Sequence, residues 1–299
     1  MKPFQITWKV EESLEGQLLR EFLLKEKAIS RQALTDIKFN GGSIYVNGQP
    51  VTVRHVLHNG DNVTVQFPLE EVSEHMAPEE MQLSILYEDD HFLVVNKPPN
   101  VTTIPSKYQN TGSLAQGVLH YYQSKNIGAT IHIVNRLDRD TSGIVLIAKH
   151  RYAHSLLSLQ QQSSQLTRTY SALCEGHPIR EKSTIEEPIG RKEGSIIERC
   201  VRKDGQFALT HYEVLKKYTD FSFIRLNLDT GRTHQIRVHM AHIGHPLLGD
   251  DLYGGSTEKM QRQALHSTTL TFHHPFLEKE MTLMAPLPDD FLQLLQRGE

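Results

Sequence analysis

This sequence of 299 residues contains little cysteine, has no long apolar stretch and carries only a small net charge. With only two cysteines, Cys174 and Cys200, the chain can form neither a disulfide scaffold nor a four-cysteine zinc site, which suits a reducing compartment. No apolar run approaches the roughly 20 residues that a membrane-spanning helix needs, and the first residues lack the apolar core of a signal peptide. These features predict a globular, cytoplasmic protein without a membrane partner.

The net charge is −3, and one short segment accounts for the deficit. Residues 69–80 hold five glutamates and one proline but no lysine or arginine. Such a stretch between two nearly neutral regions is typical of an inter-domain linker. We therefore predict a small domain over residues 13–68, an acidic linker over residues 69–80 and a larger domain over residues 81–299. Any nucleic acid must then be bound by local basic patches, because neither domain carries a strong overall charge.

The first domain has the pattern of two helices followed by short strands. Apolar residues recur with helical spacing over residues 14–27, and Ser30 is placed to cap a second helix that ends near Phe39. Asn-Gly pairs at residues 47–48 and 59–60 predict tight turns between the strands.

A polar loop between two apolar runs is the most informative stretch of the chain. Residues 131–134 and 144–148 favour strands, which would hold the loop between them at both ends. Asp138 stands in this loop, with Arg136 and Arg139 on either side. Neighbouring guanidinium groups would keep the carboxylate ionised, as nucleophilic or electrostatic catalysis requires. The alternative interpretation is a solvated turn whose charges have no catalytic role.

A second polar cluster lies near a predicted helix, which Thr233 would cap and Gly244 would end. The cluster contains Arg237 and four histidines, His234, His239, His242 and His245. The histidines raise a zinc-dependent hydrolase as one alternative. However, His234 and His239 would point about 140° apart on a helix, unlike the side-by-side pair of a zinc helix, and no cysteine or acidic residue has ligand spacing with them. We therefore predict no metal site.

Several of these motifs resemble those of one enzyme family. Residues 135–143 read Asn-Arg-Leu-Asp-Arg-Asp-Thr-Ser-Gly, which resembles the His-Arg-Leu-Asp-Arg-Asp-Thr-Ser-Gly signature of the RluA-type pseudouridine synthases. Asn135 is the single departure. The Lys97-Pro98 motif, the strand with Tyr170 and residues 229–246 follow the family's order. Residues 30–51 are similar to the αL-type RNA-binding domain that precedes many pseudouridine synthases.

The resemblance implies roles for particular residues. Asp138 would be the catalytic carboxylate, Tyr170 would lie against the target base, and Arg237 would pair with Asp138. Arg136, Lys97 and Leu265 would contact the substrate. In the first domain, the expected RNA contacts are Lys27, Arg31, Lys38 and Arg54, although a solvated helix face is the alternative for this set.

The implied fold is α+β: a pseudouridine synthase domain with a long mixed, mostly antiparallel sheet flanked by helices, preceded by the small αL-type domain. The implied reaction isomerises specific uridines of structured RNA, ribosomal or transfer, after base flipping and without a cofactor. Asp138 could attack C1′ or remove the C2′ proton, and both routes stay open. A non-catalytic RNA-binding or ribosome-assembly factor is the other alternative, which Asn135 favours. Nothing resembles a coiled coil, so a monomer is expected.

Overall fold

The computed structural model describes residues 3–70, 76–105 and 110–297. Its first unit is a four-stranded antiparallel sheet in the order β1-β4-β2-β3, with helices packed against it. The strands are β1 (Gln5–Lys9), β2 (Ser43–Val46), β3 (Gln49–Pro50) and β4 (Asn62–Gln66). The helices are α1 (Leu19–Glu21), which continues as the π-helical turn Phe22–Glu26, and α2 (Arg31–Phe39). Because β1 belongs to this sheet, the unit begins ahead of residue 13, where we placed its start.

Local signals predicted α2 well and α1 poorly. The Ser30 hydroxyl accepts a hydrogen bond from the Ala33 N–H at 3.1 Å, as expected of a helix cap. The helix predicted over residues 14–27 begins only at Leu19. Gly16 interrupts the pattern, because its φ of 78° is left-handed and its N–H donates to the Leu57 carbonyl instead of to a helical partner.

The second unit is built on a ten-stranded sheet among the described residues. Its strands are β5 (Ile85–Glu88), β6 (Phe92–Lys97), β7 (His132–Ile133), β8 (Ser142–Ala148), β9 (Thr167–Glu175), β10 (Lys182–Glu186), β13 (Leu209–Lys217), β14 (Phe221–Leu228), β15 (Leu265–His274) and β16 (Lys279–Met284). A separate ribbon pairs β11 (Ile189–Arg191) with β12 (Arg199–Val201). The helices are α3 (Leu114–Ser124), α4 (Arg151–Gln162), α5 (Gln235–His242) and α6 (Asp289–Arg297). The predicted α+β class is confirmed.

The main path of the large sheet runs β10-β13-β14-β9-β15-β8-β6-β5, and its pairings are antiparallel except for β15 with β8. That parallel pairing depends on Gly143, whose φ is 113°. A Cβ at this position would lie 2.2 Å from the Ser267 carbonyl oxygen, so only glycine allows the two strands to meet. The loop that carries Asp138 enters β8 at this point, where the two halves of the sheet join.

The large sheet is covered on both faces. Alternate residues of β6 and β8, such as Val95 and Val145, pack into a cluster with α3 and α5, whereas Val94 and Leu146 pack into another with α4. All seven residues of β8 are buried. Strands covered on both faces lack a polar side, which explains the uninterrupted apolar run that followed the signature loop.

The two units are in direct contact. The ring of Phe4 stacks on His150 with 3.7 Å between centroids, and the Tyr152 hydroxyl donates to the Lys27 carbonyl at 2.6 Å. Glu70, in the predicted linker, accepts a hydrogen bond from the Arg151 N–H at 2.8 Å and lies 2.6 Å from His132 Nε2. Residues 71–75 of that linker lie outside the described residues. Within the described part of the chain, no helix is long and apolar enough to cross a membrane.

Candidate functional site

The loop that carries Asp138 is fixed to β8 by Asn135. This side chain is 4% exposed, its amide N–H donates to the Ile144 carbonyl at 3.0 Å, and its amide oxygen accepts from the Leu146 N–H at 2.8 Å. Both hydrogen-bonding ends of the amide are therefore used on the backbone of one strand. The residue that departs from the family signature is a brace for the loop.

Lys97 holds the same loop from the other side. Its ammonium group is fully buried and donates to the carbonyls of Pro98, Val101 and Arg139 at 2.8, 2.7 and 2.9 Å. Burial lowers the pKa of Lys97 to about 7, although Asp140 and Asp138 oppose the shift. Since its three donors are engaged by protein carbonyls, this position favours a positioning role over the substrate contact that the resemblance implied.

The flanking arginines differ from the expectation. Arg139 turns away to form a two-pronged ion pair with Asp140, with distances of 2.9 and 3.3 Å. Arg136 is exposed and lines the cavity above Asp138. The guanidinium that contacts Asp138 comes instead from α5.

Arg237 joins two carboxylates. Its Nε and Nη2 each lie 2.8 Å from the carboxylate of Asp250, which is 1% exposed, and its Nη1 lies 3.2 Å from Asp138 Oδ2. Burial alone would lower the pKa of Arg237, but Asp250 and then Asp138 raise it far above its ordinary value. Arg237 is therefore permanently charged, and the two-pronged contact with Asp250 aims its remaining nitrogen at Asp138.

His234 approaches Asp138 from the turn before α5. Its φ of 57° is left-handed, an uncommon conformation for a residue with a side chain, and it occupies the cap position that we predicted for Thr233. The Tyr253 hydroxyl oxygen accepts from the Arg199 N–H at 3.0 Å and lies 2.7 Å from His234 Nδ1. We assign Tyr253 as the donor in this contact, because Nδ1 is an acceptor within reach of the hydroxyl proton.

This arrangement selects one form of the imidazole. With Nδ1 as the acceptor, the proton of neutral His234 lies on Nε2, which is 3.8 Å from Asp138 Oδ2. Burial lowers the pKa of His234 despite the charge of Asp138. His234 thus presents a neutral N–H donor to the carboxylate and the cavity beside it.

Two adjoining cavities lie over Asp138. The inner one, about 60 Å³, is lined by Asp138, Tyr170, Arg237 and Leu265 among others, and the outer one is about 400 Å³. Burial raises the pKa of Tyr170, and the charge of Asp138 adds to the shift, so Tyr170 stays a neutral phenol. The site combines a carboxylate in contact with Arg237, a phenol and an apolar wall.

The structure gathers most of the expected residues and separates others. Arg136, Asp138, Tyr170, Arg237 and Leu265 surround the inner cavity. Lys97 lies beneath the loop. The residues expected to contact RNA from the first unit, Lys27, Arg31, Lys38 and Arg54, lie outside the lining of these cavities. Of these, Arg31, Lys38 and Arg54 are exposed, whereas the ammonium of Lys27 lies over the rings of Trp8 and Phe22.

Sequence reasoning missed three further residues of the site. Asp250 could have been considered, because it follows the α5 motif closely in the sequence. Tyr253 belongs to a run of residues that also resembles the family motif, but no role followed for it from its residue type. Arg168 gave no local signal, because its relation to the site depends on how distant segments pack.

The histidines of the α5 region have partners other than a metal. His239 lies 2.9 Å from both the Thr210 hydroxyl and the Glu187 carbonyl, and His245 lies 2.8 Å from the Glu175 carbonyl. Across residues 3–70, 76–105 and 110–297, there is no group of three or more His, Cys, Asp or Glu side chains arranged to hold a metal ion.

Comparisons with known proteins agree on one family. A family model described as RNA pseudouridylate synthase matches residues 91–242. The uncharacterized RNA pseudouridine synthase YjbO of Bacillus subtilis (strain 168) is 51% identical over 274 residues, which cover 92% of this chain and 96% of the relative. The ribosomal large subunit pseudouridine synthase D of Escherichia coli O6:H1 is 37% identical over 251 residues, covering 79% of this chain and 76% of the relative.

A solved structure has a similar fold. Human RNA Pseudouridylate Synthase Domain Containing 1 superposes with a TM-score of 0.59 at 25% identity, covering 74% of this chain and 97% of the human chain.

Proposed function

The chain belongs to the RluA-type RNA pseudouridine synthases, and from that premise we propose that it isomerises uridines of ribosomal RNA with Asp138 as the catalytic carboxylate. The observation that carries the proposal is the contact between Arg237 Nη1 and Asp138 Oδ2, 3.2 Å long, at the floor of a cavity that a flipped base could enter. Asp138 supplies the one carboxylate among the residues that line the inner cavity.

The reaction conserves all atoms. The N1–C1′ bond of uridine breaks, the detached uracil turns, and C5 bonds to C1′; C5 then loses its proton, and N1 carries one in the product. Asp138 opens the sequence either by attacking C1′, in which case C5 later displaces the carboxylate from C1′, or by removing the C2′ proton, which it returns once the new bond has formed. No electron is transferred to a second molecule, and no water is consumed.

The remaining side chains have roles that suit these steps. Tyr170, as a buried phenol, offers a ring for stacking on the uracil and a hydroxyl for moving the C5 proton. Leu265 forms an apolar wall of the inner cavity. Arg136, exposed at the cavity mouth, is placed to fill the gap that the flipped nucleotide leaves or to contact phosphate. Flipping costs a few kcal/mol, which stacking and phosphate contacts offset.

Large-subunit ribosomal RNA is the proposed substrate, because several relatives, including that of E. coli, are named ribosomal large subunit pseudouridine synthase D. Transfer RNA is the alternative substrate. The first unit would contribute RNA affinity through Arg31, Lys38 and Arg54, which are exposed. The catalytic unit would act as a monomer.

The site geometry also bears on the non-catalytic alternative. Asn135 was the feature that favoured a binding factor with a decayed site, but its amide braces the loop of Asp138. With that support gone, no specific observation favours a binding factor.

The test is to map pseudouridines in ribosomal and transfer RNA from cells that lack the protein. The cells are complemented with wild type, Asp138→Asn or the control Asp204→Asn, which changes an exposed carboxylate paired with Arg202. We expect one or more ribosomal sites to disappear on deletion and to return with wild type and the control only. Restoration by Asp138→Asn would refute its catalytic role, and an unchanged map would refute the proposed substrate.

A further inference from the structure

Beside the outer of the two cavities over Asp138 lies a further cavity, which we call the second cavity. It has a volume of about 490 Å³ and runs along the C-terminal end of α4, where Ser158, Gln161 and Gln162 line it. The two cavities share several lining residues, among them Gln161, Arg168, Leu228, Gly231 and Arg232. The shared lining places the second cavity directly beside the outer cavity over Asp138.

Arg168 stands on this shared wall in an unusual state. It lies on β9 two residues before Tyr170, so both side chains project from the same face of the strand. Arg168 is only 8% exposed, and among the described residues its buried Nε has no hydrogen-bond partner. A buried guanidinium donor without an acceptor costs free energy, whereas the same group facing an anion forms charge-assisted hydrogen bonds.

The nearby carboxylates do not fill this need. Asp138 faces Arg237 at 3.2 Å, and Asp229 lies 2.9 Å from His211 Nε2. Gly231 leaves room beside the guanidinium, since a Cβ at that position would lie only 3.4 Å from Arg168 Nη2. The wall between the cavities therefore presents a largely buried guanidinium whose Nε has no hydrogen-bond partner among the described residues.

We propose that Arg168 binds the phosphodiester that links the flipped uridine to its neighbouring nucleotide, and that the second cavity receives this neighbour. The inference rests on the proposed function, because it takes the flipped uridine to lie over Asp138. Phosphate is the anion that recurs along RNA, and arginine binds it with two-pronged geometry. The hydroxyl and amide side chains of the second cavity suit a ribose and a base edge, and its volume lies within the range of small-molecule sites.

The test measures binding apart from turnover. The probe is a fluorescein-labelled uridine hexanucleotide, titrated with wild type, Arg168→Gln and the control Arg225→Gln, whose guanidinium is exposed and pairs with Glu213 at 2.6 Å. We expect Arg168→Gln to weaken binding by about tenfold or more. The slope of log K against log salt should fall by about 0.7, the value for one phosphate contact on a single strand. Arg225→Gln should change neither quantity.

A second probe replaces the phosphodiesters of the hexanucleotide with neutral methylphosphonate links, one position at a time. At one link, the replacement should lower the affinity of wild type but lower the affinity of Arg168→Gln much less. Such a difference is the energetic coupling expected when Arg168 contacts that phosphate directly. Equal costs for both proteins at every link would overturn the proposal, as would wild-type affinity and salt slope in Arg168→Gln.

Circular dichroism establishes whether Arg168→Gln folds. If it does not, Gly231→Val decides the question, because its side chain covers the guanidinium without removing it. Weaker binding with a smaller salt slope then supports the proposal, and unchanged binding overturns it. If Arg168→Gln binds the hexanucleotide like wild type while the wild-type enzyme modifies RNA, this inference alone is refuted. If Arg168→Gln binds more weakly but the wild-type protein modifies no RNA, the proposed function alone is refuted.

Discussion

The contact between Asp250 and Arg237 makes a sharp prediction for Asp250→Asn. The amide keeps the size of the carboxylate but accepts only one of the two N–H groups of Arg237, and its own NH₂ faces the other donor. Since Asp250 is 1% exposed, no solvent replaces the lost acceptor. Removing one partner of a buried ion pair costs about 3–5 kcal/mol, and the isosteric change should fall near the lower end.

A loss of about 3 kcal/mol in the free energy of unfolding lowers the midpoint of thermal unfolding by a few degrees per kcal/mol in a domain of this size. We therefore expect the midpoint to fall by about 10 °C. Arg237, no longer held by two prongs, should also lose its aim at Asp138, so kcat should fall more than KM changes. The matched control is Asp251→Asn, the exposed neighbour. If both variants unfold at the same temperature and turn over RNA equally, Asp250 does not position Arg237.

Three further changes test other contacts. Tyr253→Phe removes the hydroxyl that contacts His234 Nδ1, so kcat should fall and its pH profile should shift; because the Arg199 N–H also loses its acceptor, the midpoint of unfolding should fall slightly. Asn135→Ala leaves a backbone N–H and a carbonyl of β8 without partners, at a cost of about 1–3 kcal/mol each, and denaturant unfolding should show the loss; unchanged stability would refute the bracing role. Burial alone would raise the pKa of Glu70, but hydrogen bonds, first from His132, lower it to about 2. Above pH 4.5 the ionised Glu70 therefore contributes about 3 kcal/mol to the free energy of unfolding. That contribution is lost as the pH falls toward 2, so the stability gap between wild type and Glu70→Gln should narrow over this window, and a gap independent of pH would contradict the reasoning.

Features that depend on neighbours in the chain could be predicted from the sequence. The cap of Ser30 on α2 forms between residues three positions apart. The apolar run after the signature loop became a fully buried strand, as its length and composition indicated. The order of the motifs was enough to recognise the family, because a run of specific residues carries information that single residue types do not.

The resemblance also brought together residues that no local pattern connects. Arg237 and Asp138 are 99 positions apart, yet the motifs that contain them implied their contact. The roles proposed for them came only through the family, since residue types alone favoured a solvated turn for Asp138.

Only the tertiary structure decided how the site is supported. Lys97 has the residue type of a substrate-binding group, but packing buries it among three carbonyls. His234 takes a left-handed conformation that its helix pattern did not suggest. The Nε of Arg168 lacks a hydrogen-bond partner among the described residues because of what the fold places around it. Hydrogen-bond satisfaction and burial depend on segments far apart in the chain, so the chemistry could be predicted from motifs while the positioning of that chemistry required the packed molecule.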